Sequence, residues 1–238
     1  MLRKVAVLLV ACIVFSGCSK EDENAPKFRG KLPLEYEGLG GHFSFEYDFS
    51  GRILQINKIS EDTLSYRFVY EQNRIIQVEV KEASSVWVSM PVNYTSDTEF
   101  SFGIEDEIYY LKTDENGNLI NLSRNSDVFL TYDYAMQSNI KTVNYFNQAS
   151  LQFTYTPQRG VFSYVASPTW ILSFVQGYFE GQYYNAFDKV TFSSQTDYFV
   201  YTPKYKWNES GLPVQIILTP ENGGTEGDIQ HIYIRYNN

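Results

Sequence analysis

The chain has 238 residues, which suits one domain or at most two. Aromatic residues make up 17% of it, with 20 Tyr and 17 Phe, and such chains usually bury their area in β-sheets. The formal net charge of −9 and the absence of a Lys/Arg-rich stretch exclude nucleic acid as a partner on electrostatic grounds.

Residues 1–17 have the pattern of a signal peptide. Arg3 and Lys4 form a positively charged N-terminal region, and the apolar run that follows is too short to span a bilayer. The run ends in Phe15-Ser16-Gly17-Cys18, which resembles a bacterial lipobox and predicts acylation of Cys18. A second match to the lipobox is Leu9-Val10-Ala11-Cys12, but cleavage there would leave too short an apolar region. The other alternative is an ordinary secretory signal in which Cys18 occurs by chance.

Residues 18–41 are predicted to be the lipidated Cys and a flexible tether. Glu21-Asp22-Glu23 resembles the acidic signal that sends Bacteroidota lipoproteins to the cell surface, and a solvated linker is the bland alternative. Leu32, Leu34 and Tyr36 alternate with polar residues and predict a short first strand. Since Cys12 and Cys18 are the only cysteines, a mature chain that starts at Cys18 has no disulfide.

A strand-turn-strand unit recurs from residue 42 onward. Its first copy runs from Phe45 to Ile56, and Gly51 supplies the positive φ that a tight turn needs. Further copies follow at intervals of about 21 residues or twice that, and in one of them Asn73 is expected to take the left-handed conformation. The residues predicted to be equivalent are Tyr47, Tyr70, Thr113, Tyr134, Tyr155 and Trp207.

Successive hairpins predict a single all-β domain over residues 42–238 with roughly 12–14 antiparallel strands. A meander that long must curl into a barrel-like sheet, close or split into two layers. Arg67, Glu79 and Lys141 lie within the predicted strands, where a lipid-facing band would need apolar residues. This position of charges argues against a membrane-spanning barrel.

One short helix is predicted near residues 168–176, within an insertion at about 165–200. Ser167 is the expected N-cap, Pro168 would occupy the first helical position, and Gly177 would end the helix. Such a helix could plug one end of the curled sheet.

Two resemblances follow from these residues. Tyr47-Asp48-Phe49-Ser50-Gly51 and Thr113-Asp114-Glu115-Asn116-Gly117 resemble the YD-type hairpin repeats of large bacterial wrapping proteins. The acidic tether and the successive hairpins are more similar to a Bacteroidota family of outer-membrane lipoproteins of unknown function with a porin-like β-fold. The resemblance implies a curled antiparallel sheet and assigns no activity.

The aromatic residues could form a sugar-stacking platform or line a ligand cavity, although aromatics in β-proteins usually belong to the core. The nominated ligand-binding residues are Trp87, Trp170, Tyr183, Tyr184 and Trp207. Asp62-Thr63-Leu64 resembles the Bacteroidota O-glycosylation sequon and nominates Thr63 for modification.

Other polar groups favour structural interpretations. Asp114, Asn116 and Asn118 fail the calcium-loop spacing and are better explained as a hairpin turn. The carboxylates of residues 105–107 alternate faces and indicate a solvated turn. His42 and His231 form no triad spacing. We therefore expect no catalytic residue, metal or cofactor.

The preferred hypothesis is a non-enzymatic binding or structural lipoprotein on the outer membrane, exposed at the cell surface. Its partners would be the membrane, through the lipid on Cys18, and a glycan or another surface protein. The alternative is a glycan-binding or glycan-processing accessory of a surface uptake system, since the aromatics and scattered carboxylates allow it.

Overall fold

A computed structural model gives the fold of the chain. It describes residues 30–38, 41–59, 64–82, 85–104, 107–125, 127–135, 139–146, 148–174, 184–221 and 229–237. Cys18, Thr63, Tyr183 and Gly177 lie outside the described residues.

Antiparallel strands make up most of the described chain. The first nine are Pro33–Gly38 (β1), Gly41–Tyr47 (β2), Ile53–Ile59 (β3), Leu64–Glu71 (β4), Arg74–Glu82 (β5), Val88–Pro91 (β6), Asn93–Tyr94 (β7), Glu99–Ile104 (β8) and Glu107–Thr113 (β9). The others are Leu119–Arg124 (β10), Asp127–Tyr134 (β11), Ile140–Tyr145 (β12), Ser150–Arg159 (β13), Asn185–Ser193 (β14), Tyr198–Trp207 (β15), Pro213–Pro220 (β16) and Gln230–Tyr236 (β17).

The strands form one 17-stranded sheet whose order follows the chain. β1 pairs with both β2 and β17, so the first and last strands meet and the sheet curls into a barrel-like ring. β6 and β7 together act as one interrupted strand, since β6 pairs with β5 and β7 pairs with β8. The predicted all-β, barrel-like meander of hairpins is confirmed. It has more strands than the 12–14 expected, in part because β1 lies ahead of residue 42 and because β6 and β7 count separately.

β1 falls within the segment predicted to be a tether. Leu32 is buried and Tyr36 is completely buried, so the predicted short strand exists and closes the ring. The folded body therefore begins ahead of the boundary at residue 42. A tether was inferred there from the Pro and Gly residues, but pairing on both sides of β1 outweighs their local effect.

The alternation of the strands places apolar side chains inside the ring. Because side chains alternate across a strand, one residue in two points inward, and these include Phe43, Phe45, Ile56 and Phe68. A second set from β8 to β12 completes the interior, with Phe102, Leu111, Leu122 and Val143 all nearly inaccessible to solvent. The interior is a packed core rather than a water-filled channel.

A plug formed by residues 160–174 covers one end of the ring, here called the plugged end. It contains the only helix of the described residues, Trp170–Phe174 (α1). Val161, Phe162 and Ile171 are completely buried, and the Phe162 ring contacts the Phe45 ring at a centroid distance of 5.5 Å. The predicted short helix is confirmed, but it begins at Trp170 rather than at Pro168. Its buried position is the one that a plug of the ring requires.

Ser167 does not have the N-cap role that the sequence suggested. Its hydroxyl oxygen accepts a hydrogen bond from the Ile53 backbone N–H at 2.6 Å and lies 3.3 Å from the Tyr70 hydroxyl. The N–H groups of Ile171 and Leu172 instead bond to the carbonyls of Pro168 and Thr169. This pairing with β3 attaches the plug to the wall of the ring.

Turns of one type recur at the plugged end. In each, the side chain of Asp48, Asp114 or Asn208 accepts hydrogen bonds from two backbone N–H groups further along the turn. Gly51, Gly117 and Gly211 occupy the position with positive φ, at 82°, 79° and 71°. The hairpin-turn explanation of the segment 114–118 is thus confirmed.

The turn between β4 and β5 differs from the prediction. Gln72, with φ at 55°, takes the left-handed conformation that the sequence assigned to Asn73. The turn is one residue tighter than expected, because Glu71 still pairs with Arg74.

Candidate functional site

Tyrosine hydroxyls close the hairpins at the plugged end. Eight hairpins of the described chain have strands that join at the opposite end of the ring, here called the far end. In seven of them, a Tyr on the second strand donates to a backbone carbonyl at the start of the first strand. There are seven of these tyrosine clasps among the described residues: Tyr47 to Pro33, Tyr70 to Ile53, Tyr94 to Ile75, Tyr134 to Leu119, Tyr155 to Ile140, Tyr205 to Phe187 and Tyr236 to Pro213.

The tyrosine clasps explain the repeat seen in the sequence. Thr113 takes the equivalent place in an eighth hairpin, with its hydroxyl 3.4 Å from the Thr98 carbonyl. The predicted copy at Trp207 matches the first copy in its turn, since Asn208 and Gly211 take the places of Asp48 and Gly51, but Tyr205, two residues earlier, donates the clasp. The β15–β16 pairing shifts between Lys206 and Trp207, as the β2–β3 pairing does between Glu46 and Tyr47.

Burial perturbs these tyrosines as expected for structural groups. Burial raises the pKa of Tyr70 to about 12, although its contacts with Ser167 and Arg52 lower the pKa somewhat. Burial likewise raises the pKa of Tyr205 and Tyr236. A raised pKa keeps the hydroxyls of Tyr70, Tyr205 and Tyr236 neutral as hydrogen-bond donors, whereas an activated nucleophile would have a lowered pKa.

The four nominated aromatic residues that the structure describes lie apart from one another. Trp170, in the helix of the plug, is 2% exposed and packs against Phe68, Phe100 and Phe102, so it belongs to the core. Trp207 stacks on Tyr205 at 4.9 Å near the plugged end. Trp87 lies towards the far end, with the Arg67 guanidinium 4.0 Å from its ring centroid. Tyr184 lies beside the start of β14, and its carbonyl accepts from the Gly160 N–H.

The described residues contain no buried carboxylate, histidine, lysine or arginine. Glu107, in the carboxylate cluster singled out from the sequence, accepts from the Tyr109 hydroxyl and pairs with Arg124 at 3.3 Å. β1 separates His42 on β2 from His231 on β17. No group of three potential metal ligands occurs in the described part of the chain.

A charged outer surface covers β1 to β5 and β17, here called the charged face. Glu46, Gln55, Arg67 and Glu79 lie side by side on four adjacent strands, and Arg67 donates to Gln55 at 2.6 Å. Arg67 also lies 4.0 Å from Glu79. Arg235 forms a bidentate ion pair with Glu35, which lowers the pKa of that carboxyl.

The opposite side of the ring carries eight uncharged outward residues in two cross-strand rows, here called the neutral face. One cross-strand row on β10 to β14 consists of Asn121, Thr131, Asn144, Ser150 and Ser193. The adjacent row on β12 to β14 consists of Thr142, Gln152 and Thr191, and Asp133 on β11 borders it opposite Thr142. All eight side chains are amides or hydroxyls.

Three aromatic side chains adjoin the neutral face towards the far end. Tyr110 is 44% exposed, Phe129 41% and Phe146 77%. Tyr110 pairs with Ser123 on β10, and the Phe146 N–H donates to the Phe129 carbonyl at 3.2 Å. Reasoning from the sequence missed this group because it nominated Trp and paired Tyr residues. The available signal was the run of polar Asn, Thr, Ser and Gln residues at alternate strand positions.

No helix among the described residues is long and apolar enough to cross a membrane.

Comparisons with known proteins identify no family. No family model matches the chain. No curated protein matches it either. Among solved structures, the chain is similar to a porin-like protein from Bacteroides vulgatus, with a TM-score of 0.44 and 11% identity over 87% of this chain and 99% of that one.

A porin-like protein from Bacteroides uniformis gives a TM-score of 0.41 and 8% identity, with 87% of this chain and 97% of that one covered. At such TM-scores and identities the likeness says nothing about function.

Proposed function

We propose that the protein is an outer-membrane lipoprotein, anchored through Cys18 and exposed at the cell surface, whose β-body is a non-enzymatic binding or structural domain. The lipid anchor is inferred from the lipobox-like N-terminal residues. The observation that carries the proposal is the distribution of polar and apolar side chains between the outside and the inside of the sheet. Charged and amide side chains cover the outside of the ring, and apolar side chains fill the inside.

That polarity is the reverse of a membrane-spanning barrel, which has an apolar band outside and a polar lumen. An outward face with ion pairs such as Arg67–Glu79 and Lys112–Glu99 favours a body that stays in water. Such a body needs a separate attachment to reach the membrane, and a triacylated Cys18 would supply it. The tether reaches the body at β1, which enters at the plugged end.

A binding role is favoured over glycan processing. Hydrolysis of a glycosidic bond usually needs two carboxylates that face each other across the sugar. The polar side chains that the described core contains are Ser65, Thr113, Asn118, Asn139, Ser167 and Thr169, and none can act as such a pair. The exposed aromatic side chains on the outer surface support the alternative, a glycan-binding accessory.

Replacement of the acylated residue tests the anchor. With Cys18→Ala, we expect the protein to leave the membrane fraction and to lose incorporation of labelled palmitate. Cys12→Ser is the matched control and should change neither measurement. Retention of Cys18→Ala in the membrane fraction would show that this residue does not anchor the protein.

Surface exposure has a separate test. Replacing Glu21, Asp22 and Glu23 by Ala should leave the protein in the membrane but protect it from protease added to intact cells. Equal proteolysis of the variant and the native protein would contradict a role of this acidic run in surface export.

A further inference from the structure

We propose that the neutral face is a binding surface for an uncharged glycan, with Tyr110, Phe129 and Phe146 as stacking residues. The inference gives a ligand class to the binding body and does not depend on the lipid anchor. It rests on the register of β9 to β14 and on the exposure of the three rings.

The neutral face is continuous across five strands. Asn121, Thr131 and Asn144 are directly opposite one another on β10, β11 and β12, and Ser150 and Ser193 continue the row. Four gaps between strands of about 4.8 Å each give a platform on the order of 19 Å wide. That width accommodates a short oligosaccharide lying across the strands.

The charge of the face selects among ligands. None of the eight residues in its two rows is ionisable. Charged side chains lie at its borders: Lys112 pairs with Glu99 at 2.8 Å, Arg124 pairs with Glu107 at 3.3 Å and lies 5.4 Å from the centre of the Phe129 ring, and Asp133 continues the second row on β11. An anionic ligand would find no cation within the two rows, and a cationic ligand would find no carboxylate within them. An uncharged ligand rich in hydroxyl groups is complementary, since amides and hydroxyls both donate and accept hydrogen bonds.

The three aromatic rings supply the apolar part of the surface. Phe129 and Phe146 are on adjacent strands, joined by the Phe146 N–H to Phe129 carbonyl bond of 3.2 Å. Tyr110 is on β9, two strands away from β11, which corresponds to about 10 Å. A sugar ring has C–H groups on its faces that pack on an aromatic ring, and its hydroxyls would then reach Ser123 and Asn144.

A protein partner fits the surface less well. The centre of a protein–protein interface is depleted of water and close-packed, with apolar and aromatic residues at the middle and polar residues at the rim. The neutral face has the opposite arrangement, since its middle is amide and hydroxyl and its aromatics adjoin one border. Ile108 and Val128 extend the apolar border but do not enter the two rows.

Affinity electrophoresis of the full-length protein in mild detergent tests the proposal. The probes are gels that contain a soluble β-glucan, α-glucan, mannan or galactan, with polygalacturonate and heparin as charged gels. We expect retardation by at least one neutral polysaccharide and none by the charged ones. Lack of retardation by all neutral polysaccharides, or retardation by the charged gels alone, would overturn the proposal.

Variants assign the binding to the surface. Tyr110→Ala/Phe129→Ala/Phe146→Ala should weaken binding at least tenfold. Phe49→Ala/Tyr233→Ala removes two equally exposed aromatics elsewhere and should bind like the native protein. Asn144→Lys places a charge in the middle of the face without removing packing, and it should also weaken binding at least tenfold. Native binding by both the triple variant and Asn144→Lys would place the glycan elsewhere, and circular dichroism of each variant checks its fold.

Discussion

The charged face and the neutral face are built on the same interior but carry different outer residues. Beneath both lie alternating apolar side chains and tyrosine clasps, such as Tyr70 in β4 and Tyr134 in β11. Outside, β2 to β5 present Glu46, Arg67 and Glu79, whereas β10 to β14 present the amides and hydroxyls of the neutral face, with Asp133 at its border.

The difference separates what the fold needs from what it permits. Inward positions and clasps recur around the ring because every hairpin must bury one face and close its free end. Outward positions are free to vary, and opposite charges in register stabilise strand pairs only modestly. An uncharged row over five strands is therefore not required by the fold, which makes it the better candidate for a function.

The largest expected effect concerns the interior that both faces share. Trp170→Ala should lower the free energy of unfolding by about 3–5 kcal/mol, because it leaves a cavity among Phe68, Phe100 and Phe102. Trp87→Ala, at the surface, should cost less than about 1 kcal/mol. Urea unfolding of both variants measures this, and a loss below about 1 kcal/mol for Trp170→Ala would mean that the plug is not part of the common core.

Alkaline pH should weaken the fold through the clasps. In the unfolded chain Tyr70 ionises near its ordinary pKa of 10, whereas burial raises its pKa in the fold to about 12. Its contribution is therefore complete below pH 10 and is lost as the pH rises towards 12, by up to about 1.4 kcal/mol per pH unit. Urea midpoints between pH 8 and 11.5 should fall less steeply for Tyr70→Phe than for the native protein, and identical slopes would contradict the assignment.

The tyrosine clasps beneath the two faces should contribute equally to the free energy of unfolding. Tyr134→Phe and Tyr70→Phe each remove one hydroxyl that bonds to a carbonyl, at 2.7 Å and 3.0 Å, and each should cost about 0.5–1.5 kcal/mol. Thermal unfolding of both variants checks the value. A cost at Tyr70 alone would show that its contact with Ser167, rather than the shared clasp, stabilises the hairpin.

The smallest effect is expected on the charged face. Arg67→Ala should cost about 0–1 kcal/mol, because the pair with Glu79 is partly exposed and water weakens it. The effect should shrink in high salt, and binding of neutral polysaccharide should not change. Loss of glycan binding in Arg67→Ala would show that the charged face, and not the neutral face alone, takes part in binding.

Local patterns in the sequence determine the strand alternation, the Gly-containing turns and the short helix that became the plug. These features depend on neighbouring residues, so the period of two, Gly51, Gly117 and the Pro168 segment were enough to predict them. The repeated Tyr47, Tyr70, Tyr134 and Tyr155 were also visible, although their hydrogen bonds to the preceding strand were not.

Only the tertiary structure decided the closure of the ring, the role of Ser167 and the content of each outer face. β1 became a central strand because β17 returned beside it, a pairing between residues about 200 positions apart. Which polar residues share a face depends on the register of six strands and on their bulges, as the shift between Leu122 and Ser123 shows. Sequence spacing does not encode those shifts, so the neutral face could be recognised only once the strands were paired.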